Sequence, residues 1–425
     1  MSKIAIVGFG GAGYCAAKEI RQHDKASSID VFSDTDVGPY NPMLTTYYVK
    51  GAIPYEALFP FGDMETIQKD LDLRFHAHRP VVGLVPEEKK LRFADGSEER
   101  FDKILFSTGA SAIMPPIPGI DLPGVIKMRT AQDAVHLKNI LAEGKVKTAL
   151  VIGASWVGIK VIEDLVESGV ESTLVDGAKW MFFVAAFEET ALRAQRDLES
   201  KGVKVACGQM LSQIEREENG QLTAVMQNGS RFTADLVAVC IGMRMNVGFL
   251  KESGLKIGRG IQVDRHMLSN YEGIYAAGDC AEAVDTQLGA HRNIAVWFNA
   301  RTQGQVAGAN MAGVPMEFDA NVLVNLAHYL DYDFISIGDV SACKPEDRLY
   351  EYEDNRYYIR AVRSDAEIKC INIIGSAESN GLFKNIFIKS FENPEAGMDL
   401  KSVCCLKDRG FPDEFIDFLG GITID

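Results

Sequence analysis

The stretch KIAIVGFGGAG at residues 3–13 decides the fold that this sequence predicts. Its apolar run at residues 3–7 is typical of a buried parallel strand, and glycines follow at once. Residues 14–21 have the pattern of a helix, residues 28–32 that of a second strand, and Asp34 comes directly afterwards. Strand, glycine turn, helix, strand and acid, in this order, are the context that a dinucleotide-binding βαβ unit requires.

Each glycine of this GxGxxG pattern has a physical task. Gly8 allows a tight turn, Gly10 lets the backbone approach a pyrophosphate, and Gly13 lets the helix and the strand pack closely. The helix N-terminus offers N–H groups and partial positive charge to phosphates, and Asp34 can accept hydrogen bonds from a ribose diol. The alternative is a chance glycine-rich turn, which the surrounding pattern disfavours.

A second copy of the pattern lies in the middle of the chain. An apolar run at residues 147–152 is followed by GASWVG at 153–158, a helical pattern at 159–168, and a strand at 172–175 that ends at Asp176. The sequence therefore predicts a second dinucleotide site, with a plain structural turn as the alternative.

Two residues of the second copy bear on its ligand. Ser155 replaces the second glycine, and serine is small but is not free to take every backbone angle. A carboxylate at Asp176 favours a free 2′-hydroxyl and repels a 2′-phosphate, while Lys179 is the only nearby cation. NADH is therefore preferred over NADPH.

Composition and charge exclude several classes of protein. The 425 residues are 47% hydrophobic and 24% charged, which is typical of a folded chain with two or three domains. The net charge of −15 disfavours a general binder of nucleic acid or anionic membranes. The sequence contains no run of 18 apolar residues, so it predicts no membrane span.

Cysteine and histidine usage bears on compartment and metals. The eight cysteines are scattered with no CxxC or CxxxxC pair, which favours free thiols in a reducing cytoplasm. The seven histidines show no ligand spacing, so no metal site is expected.

Five further segments make the assignment specific. They are FSTGA at residues 106–110, MPPIPG at 114–119, IGMRMN at 241–246, GIYAAGDC at 273–280 and WFNA at 297–300. With them the chain resembles the pyridine nucleotide–disulfide oxidoreductase superfamily in its two-dinucleotide-binding form. The nearest branches are the ferredoxin and rubredoxin reductases, the flavin portion of NADH-dependent nitrite reductases, and the NADH oxidases.

The resemblance implies an α/β fold with two Rossmann-like dinucleotide-binding domains and a C-terminal α+β interface domain. FAD would be bound by residues 1–111 together with 245–318, and NAD by the inserted residues 112–244. Residues 319–425 would form the interface domain, which commonly contributes to a homodimer.

The resemblance also assigns site residues. Val82 would pack on the adenine, Asp279 would bind the ribityl and pyrophosphate region, and Trp297 would cover the flavin pyrimidine end, with an ordinary core tryptophan as the alternative. The full FAD set is Gly8, Gly10, Gly11, Ala12, Gly13, Asp34, Pro42, Val82, Thr108, Gly109, Asp279 and Trp297. The NAD set is Gly153, Ser155, Val157, Gly158, Asp176 and Gly242.

The sequence departs from the family pattern where thiol chemistry would occur. The redox-active CxxxxC is absent, and Met43 occupies the position of the single catalytic cysteine of NADH oxidases, peroxidases and coenzyme A disulfide reductases. A thioether cannot form a thiolate or a mixed disulfide, so thiol-dependent reactions are disfavoured.

A second departure concerns charge near the flavin. The ferredoxin-reductase branch usually carries a lysine near flavin N5 and a glutamate after the second glycine motif. Here Thr46 occupies the lysine position and Lys160 the glutamate position, while Asn41 replaces the usual arginine. Lys160 and Thr46 are the candidate catalytic residues. We expect Lys160 to stabilise the reduced flavin and to help seat the nicotinamide, with a solvated helix lysine as the alternative.

These features predict an FAD-dependent NADH oxidoreductase that transfers hydride to flavin N5 and then electrons to ferredoxin or rubredoxin. Arg129, Arg292 and Arg301 are candidates for a basic patch that would receive an acidic carrier. Direct reduction of oxygen, a quinone or an organic substrate is one alternative. A low-turnover, NADH-responsive redox sensor is another.

Overall fold

The computed structural model describes residues 1–329, 331–365, 367–375, 379–393 and 397–420. They form a mixed α/β fold in which two parallel sheets precede an antiparallel one. The α/β fold class expected from the sequence is confirmed.

The N-terminal part is built around a parallel sheet with β1 at its centre. Val7 at the end of β1 lies beside Phe32 in one neighbour and Phe106 in the other, so the loops after these strands meet at one edge. The elements are β1 (Lys3–Val7), α1 (Gly11–His23), β2 (Ser28–Phe32), α2 (Thr45–Val49), α3 (Met64–Leu71), β3 (Leu73–His76), β4 (Val81–Val85), β5 (Lys90–Phe93), β6 (Glu98–Arg100), β7 (Lys103–Phe106) and β8 (Ala110–Ala112).

The middle part repeats this arrangement, with Ile152 beside Val175 and Val239. A three-stranded antiparallel sheet, β13-β14-β15, packs beside it. The elements are β9 (Val125–Lys127), α4 (Ala131–Ala142), β10 (Thr148–Ile152), α5 (Trp156–Glu167), β11 (Glu171–Asp176), α6 (Glu188–Ser200), β12 (Lys204–Cys207), β13 (Leu211–Arg216), β14 (Leu222–Met226), β15 (Arg231–Ala234), β16 (Leu236–Val239) and β17 (Met243–Met245).

Both motif helices begin earlier than the sequence predicts. Helix α1 starts at Gly11 rather than at residue 14, and α5 starts at Trp156 rather than at residue 159. The residues before them, Gly10 and Ser155, have extended backbone angles. Each helix therefore begins inside its glycine loop, and its free N–H groups face the loop.

The chain then returns to the first sheet, which has the order β19-β7-β1-β2-β3. Glycines let the helix of this segment pack directly on α1, since a Cβ atom on Gly304 would lie 2.2 Å from the Ala12 carbonyl oxygen. The elements are β18 (Ile261–Gln262), β19 (Ile274–Ala276), β20 (Ala281–Val284), β21 (His291–Arg292) and α7 (Trp297–Met311).

The C-terminal part is an antiparallel sheet of order β22-β23-β26-β25-β24, covered by helices. Its core includes the fully buried Phe383, Phe387 and Phe415. Asn372 fixes this sheet to the middle part through a bond from its amide to the Ala185 carbonyl. The elements are β22 (Val324–Tyr329), β23 (Tyr332–Gly338), β24 (Arg348–Glu353), β25 (Tyr358–Arg363), β26 (Ile368–Gly375), α8 (Asn380–Glu392), α9 (Leu400–Asp408) and α10 (Asp413–Phe418).

The domain limits expected at residues 111, 244 and 318 stay a prediction, and residues 421–425 of the C-terminal domain lie outside the described residues. Over the described part of the chain, no helix is long and apolar enough to cross a membrane. The same residues include no group of three His, Cys, Asp or Glu side chains placed to hold a metal ion.

Candidate functional site

The first glycine loop leaves room for a ligand at one position only. Gly8 has φ +90°, and a Cβ atom on it would lie 2.5 Å from the Ser107 carbonyl oxygen. A Cβ on Gly13 would lie 2.5 Å from the Gly8 carbonyl oxygen, so both glycines are required by the protein itself. A Cβ on Gly10 would meet no protein atom within 4 Å. The open space at Gly10, next to the start of α1, fits a dinucleotide pyrophosphate.

Helix α7 begins against the first turn of α1. The Trp297 ring lies so close to Gly11 that a Cβ there would be 2.5 Å from it, and Phe61 packs nearby with its centroid 6.1 Å from that of Trp297. Ala12, one residue on, is buried under α7. The two helix N-termini therefore lie together, and both favour negative charge. The indole is not isolated in a core, and its contact with a flavin stays a prediction.

Arg129, a candidate for the predicted basic patch, lies instead beside Asp279. It forms an ion pair with Asp279, and its Nε donates to the Ala110 carbonyl at 3.2 Å. The Asn293 amide donates to the Asp279 backbone oxygen at 2.6 Å. Arg129 is thus a half-buried cation beside a predicted FAD residue. Arg129 directly precedes the Thr130 capping box of α4, a local pattern that predicts the start of the helix but not the pairing with Asp279.

The expected basic patch is therefore wrong in two of its three members. Arg129 is engaged with Asp279, and Arg292 pairs with the buried Asp285 and Asp339. Arg301 alone among the three is exposed.

Arg301 lines a surface groove of about 310 Å³ between α1 and α7. Lys18, exposed on α1, lies in the same groove together with Phe61 and the acid Glu19. Glu19 is paired with His23 at 3.0 Å. The groove thus presents two cations along α1 and α7, and it begins at Tyr14 in the first turn of α1.

The segment Thr108–Gly109 lies where the N-terminal part passes into the middle part. The Thr108 hydroxyl donates to the Asn246 carbonyl at 2.8 Å, and the Asn246 amide donates back to the Thr108 carbonyl at 3.0 Å. Gly109 has φ +67°, which explains why glycine occupies this turn. These two hydrogen bonds hold the chain just before β8 against the chain just after β17, next to Asp279.

Apolar side chains are exposed at several of the motif positions. Val82 on β4 is 48% exposed, Met43 56%, Val157 40%, Ile241 40% and Phe298 59%. Their contact with a dinucleotide stays a prediction. The remaining predicted FAD residues are placed at the same edge, with Asp34 exposed after β2 and Pro42 opening a one-turn helix.

The second glycine loop is equally tight. A Cβ on Gly158 would lie 1.8 Å from the Gly153 carbonyl oxygen, and Gly153 and Gly242 have φ +114° and +116°. Ser155 has φ −90° and ψ 178°, which any residue adopts, and its hydroxyl donates to the Cys240 carbonyl at 3.2 Å. The serine therefore introduces no backbone strain in the loop.

Asp176 is tied to this loop. Its carboxylate accepts hydrogen bonds from the backbone N–H of Ala154 at 2.5 Å and of Ala178 at 2.6 Å. A carboxylate has about four acceptor positions, so further ones remain for a ribose diol. The geometry fits the predicted preference for an unphosphorylated ribose.

Lys160 lies at the cleft between α5 and α2, and α2 is the helix that carries Thr46. Its ammonium forms an ion pair with Glu163, donates to the His328 carbonyl at 3.0 Å, and lies 5.2 Å from the Tyr47 ring centroid. The side chain is only 14% exposed, so the alternative of a solvated helix lysine is wrong. Thr46, on α2, is buried. Their catalytic roles stay predictions.

The cysteines near the first loop carry no thiolate. Cys15 lies on α1 and Cys280 follows Asp279, and burial raises the pKa of both thiols. A protonated, buried thiol is not a nucleophile, which agrees with the absence of cysteine at Met43.

Comparison with known proteins finds several curated enzymes that are similar to this chain in sequence. The chain is 32% identical over 354 residues to the NADH-dependent phenylglyoxylate dehydrogenase subunit epsilon of Aromatoleum evansii, covering 81% of this chain and 80% of that one. It is 30% identical over 318 residues to an NADH oxidase of Methanocaldococcus jannaschii (74% and 70%). A rubredoxin-NAD(+) reductase of Alcanivorax borkumensis is 29% identical over 283 residues (66% and 73%).

Solved structures share the fold. A NAD-dependent persulfide reductase from A. fulgidus superposes with a TM-score of 0.83 at 24% identity, covering 94% of this chain and 79% of that one. A water-forming NADH oxidase from Lactobacillus brevis gives a TM-score of 0.83 at 21% identity (92% and 91%).

The family model described as pyridine nucleotide-disulphide oxidoreductase matches residues 2–304, which include both glycine loops. The expectation of an NADH-dependent oxidoreductase with FAD is confirmed by this match and by the curated relatives. The chain therefore belongs to the pyridine nucleotide-disulphide oxidoreductase family.

Proposed function

We propose that the protein oxidises NADH at an FAD held by its first glycine loop and passes the electrons to a small iron–sulfur protein such as ferredoxin or rubredoxin. The observation that carries the proposal is the pairing of two dinucleotide loops with a methionine, Met43, at the position where the resemblance implies a catalytic cysteine. One NADH and two oxidised carriers give NAD⁺, two reduced carriers and one proton.

The residues that would hold FAD divide by chemistry. The N–H groups at the start of α1, exposed because Gly10 has no side chain, bind the pyrophosphate. Arg129 and Asp279 together offer a cation and an acceptor to the phosphates and the ribityl chain. Val82 supplies an exposed apolar surface for the adenine. FAD, when bound, supplies the N5 atom that accepts hydride.

The second loop would hold NADH. Asp176 accepts the ribose hydroxyls, and the start of α5 binds the pyrophosphate. Lys160 lies one helical turn along α5, in the cleft with Thr46, where its ammonium would orient the nicotinamide and favour negative charge on the reduced flavin. Hydride transfer needs little proton movement, so these residues act mainly by positioning and electrostatics.

The choice of acceptor follows from the missing thiol and from the surface. Without a thiolate, electrons leave directly over the exposed edge of the site, which suits a one-electron carrier. Lys18 and Arg301 line a groove beside that edge on a chain whose net charge is −15. Such a local cation pair would attract an acidic carrier. A rubredoxin-NAD(+) reductase among the relatives supports this choice.

Direct reduction of oxygen is the second candidate, and the NADH oxidase relative at 30% identity favours it. It would use the same two loops and the same cleft. We further propose a cytoplasmic location, from the free cysteines, and a homodimer, from the resemblance.

An anaerobic titration of purified protein with NADH, and of a fresh sample with NADPH, tests the function. We expect a yellow protein whose flavin absorbance bleaches near one equivalent of NADH. Adding ferredoxin, rubredoxin or air to the bleached sample then identifies the acceptor. A colourless protein, or a yellow one that NADH does not bleach, contradicts the proposal.

A further inference from the structure

A partly buried ionic cluster lies between α2, α5 and β22, and the chemistry described so far uses only one of its members. Lys160 pairs with Glu163, whose side chain is 3% exposed. Lys50 lies 3.7 Å from the same Glu163 and 3.2 Å from Glu167. Asp164 lies on the same helix, one turn after Lys160. Two cations thus face three carboxyl groups.

Asp164 differs from the other two acids. It has no exposed surface, and neither of its carboxyl oxygens has a hydrogen-bond partner. An ionised carboxylate in this position would be desolvated without a donor to compensate it, which is strongly unfavourable. Burial, aided by the negative charge of Glu163 and opposed by Lys160 and Lys50, raises the pKa of Asp164 to about 8.

The remaining charges around Asp164 balance one another. With Asp164 neutral, two ammonium groups (Lys50 and Lys160) face two carboxylates (Glu163 and Glu167). Ionisation of Asp164 would leave the cluster with one negative charge in excess.

The packed neighbours of the cluster supply few further charges. Strand β22 contributes the His328 carbonyl to Lys160, while the His328 imidazole is bound to Asp333 at 2.9 Å. From α4, the Lys138 ammonium donates to the Tyr48 carbonyl at 2.7 Å. From α2, the Tyr47 ring lies against both Lys50 and Lys160.

We propose that Asp164 is a neutral, proton-bearing group, so that the Lys160 ammonium is opposed by one carboxylate rather than two and can stabilise the reduced flavin, and that Asp164 is therefore a positioning residue for hydride transfer. The proposal rests on the proposed function, because it needs FAD and NADH to meet in the cleft of Thr46 and Lys160. Asp164 touches neither ligand and acts through Lys160. Loss of its proton to solvent would weaken the positive potential that Lys160 presents.

We therefore expect the midpoint potential of the flavin to depend on pH through the titration of the buried Asp164. Below about pH 8 Asp164 is protonated and Lys160 is opposed by Glu163 alone. Above that pH a second carboxylate opposes Lys160, which disfavours the added electrons, so the flavin midpoint potential becomes more negative. Asp164→Asn keeps the shape of the neutral acid and removes its titration.

Spectroelectrochemical titration of the holoenzyme at pH 6 to 9 tests this. We expect wild type and Asp164→Asn to have similar potentials at pH 6, and the wild-type value to become the more negative one above pH 8. Flavin bleaching by NADH should slow several-fold over the same range in the wild type but not in Asp164→Asn. Glu167→Gln is the matched control: it keeps the proton of Asp164, so the pH dependence of the potential should persist, displaced to lower pH because Glu167 helps to raise the pKa of Asp164.

A difference between wild type and Asp164→Asn that does not change with pH would overturn the proposal. The proposed function is judged separately: if NADH bleaches the flavin but the pH effect is missing, only the role of Asp164 is wrong. If Asp164→Asn does not fold, infrared spectra of the wild type decide the matter. A carboxylic-acid carbonyl band that disappears near pH 8 supports the neutral acid, and the lack of such a band at pH 6 contradicts it.

Discussion

The guanidinium of Arg129 forms an ion pair with the carboxylate of Asp279, which follows it by 150 residues in the chain. Arg129 belongs to the segment before α4, whereas Asp279 follows β19 of the first sheet. The pair therefore joins the middle part of the chain to the edge where the first glycine loop opens. Both side chains are partly exposed, so they remain accessible to a phosphate.

Arg129→Gln should lower FAD affinity about tenfold to a hundredfold, because a hydrogen bond to a charged group contributes about 1.5–3 kcal/mol. The ratio of flavin absorbance to protein absorbance after dialysis measures the loss. Arg259→Gln, at an exposed arginine just before β18, is the control and should keep its FAD. Full retention by both variants would show that Arg129 serves only to orient Asp279.

Two of the four glycines of the first loop, Gly10 and Gly13, should respond differently to alanine. A Cβ on Gly10 meets no protein atom, so Gly10→Ala should leave the unfolding temperature of the apoprotein unchanged but weaken FAD binding. A Cβ on Gly13 meets the Gly8 carbonyl oxygen, so Gly13→Ala should destabilise the apoprotein itself by about 1–3 kcal/mol. Thermal unfolding with and without FAD separates the two effects. A Gly10→Ala protein that binds FAD normally would show that the pyrophosphate lies elsewhere.

The parts of the site that the sequence predicts are those set by short-range geometry. Gly13 and Gly158 are required by contacts within their own loops, with the Gly8 and Gly153 carbonyl oxygens, so their spacing alone identifies them. The Arg129–Asp279 pair depends on where two distant segments meet, and no local pattern encodes that meeting. Lys160 is an intermediate case. The sequence predicts its position after the second glycine motif, but its burial depends on β22, which is far along the chain.

Charge assignments failed for the same reason. Arg292 looked like a surface cation in the sequence, yet the fold brings Asp285 and Asp339 to it. Arg301 is exposed because it lies on the outer face of α7. Which cations remain free is a property of tertiary packing, so a count of basic residues could not locate the groove.

Asp176→Ala should weaken NADH binding about tenfold or more, while NADPH binding changes less. The variant loses an acceptor for the ribose hydroxyls but also loses the repulsion of a 2′-phosphate. Anaerobic flavin bleaching at increasing concentrations of each nucleotide gives both dissociation constants. Glu171→Ala, at the other end of β11, is the control. Equal losses for the two nucleotides would mean that Asp176 only holds the Ala154 and Ala178 backbone in place.

Charge reversal in the groove between α1 and α7 should impair reduction of an acidic carrier. Lys18→Glu with Arg301→Glu should raise the KM for reduced-carrier formation about tenfold and flatten its dependence on salt, because both cations would otherwise attract the carrier. Bleaching of the flavin by NADH should not change. Lys251→Glu, at another exposed lysine, controls for the change in total charge. If the groove variant and this control reduce the carrier equally well, the carrier docks elsewhere.

Because of Lys384 on α8, the free energy of unfolding should increase as the pH becomes alkaline. Its ammonium lies 3.9 Å from the Phe298 ring centroid, and burial lowers its pKa to about 8. Because the folded pKa is below the unfolded value of 10.5, the folded state binds fewer protons between these values, and stability rises as pH increases through this window. Lys384→Met removes this rise. The variant should be more stable than wild type by about 2 kcal/mol at pH 7, a figure reduced for the partial exposure of the amine, and the difference should vanish near pH 10.5. Urea unfolding of both proteins from pH 7 to 10.5 measures the difference between their free energies of unfolding. A difference that stays constant across that range would mean that Lys384 is charged in the folded protein at every pH tested.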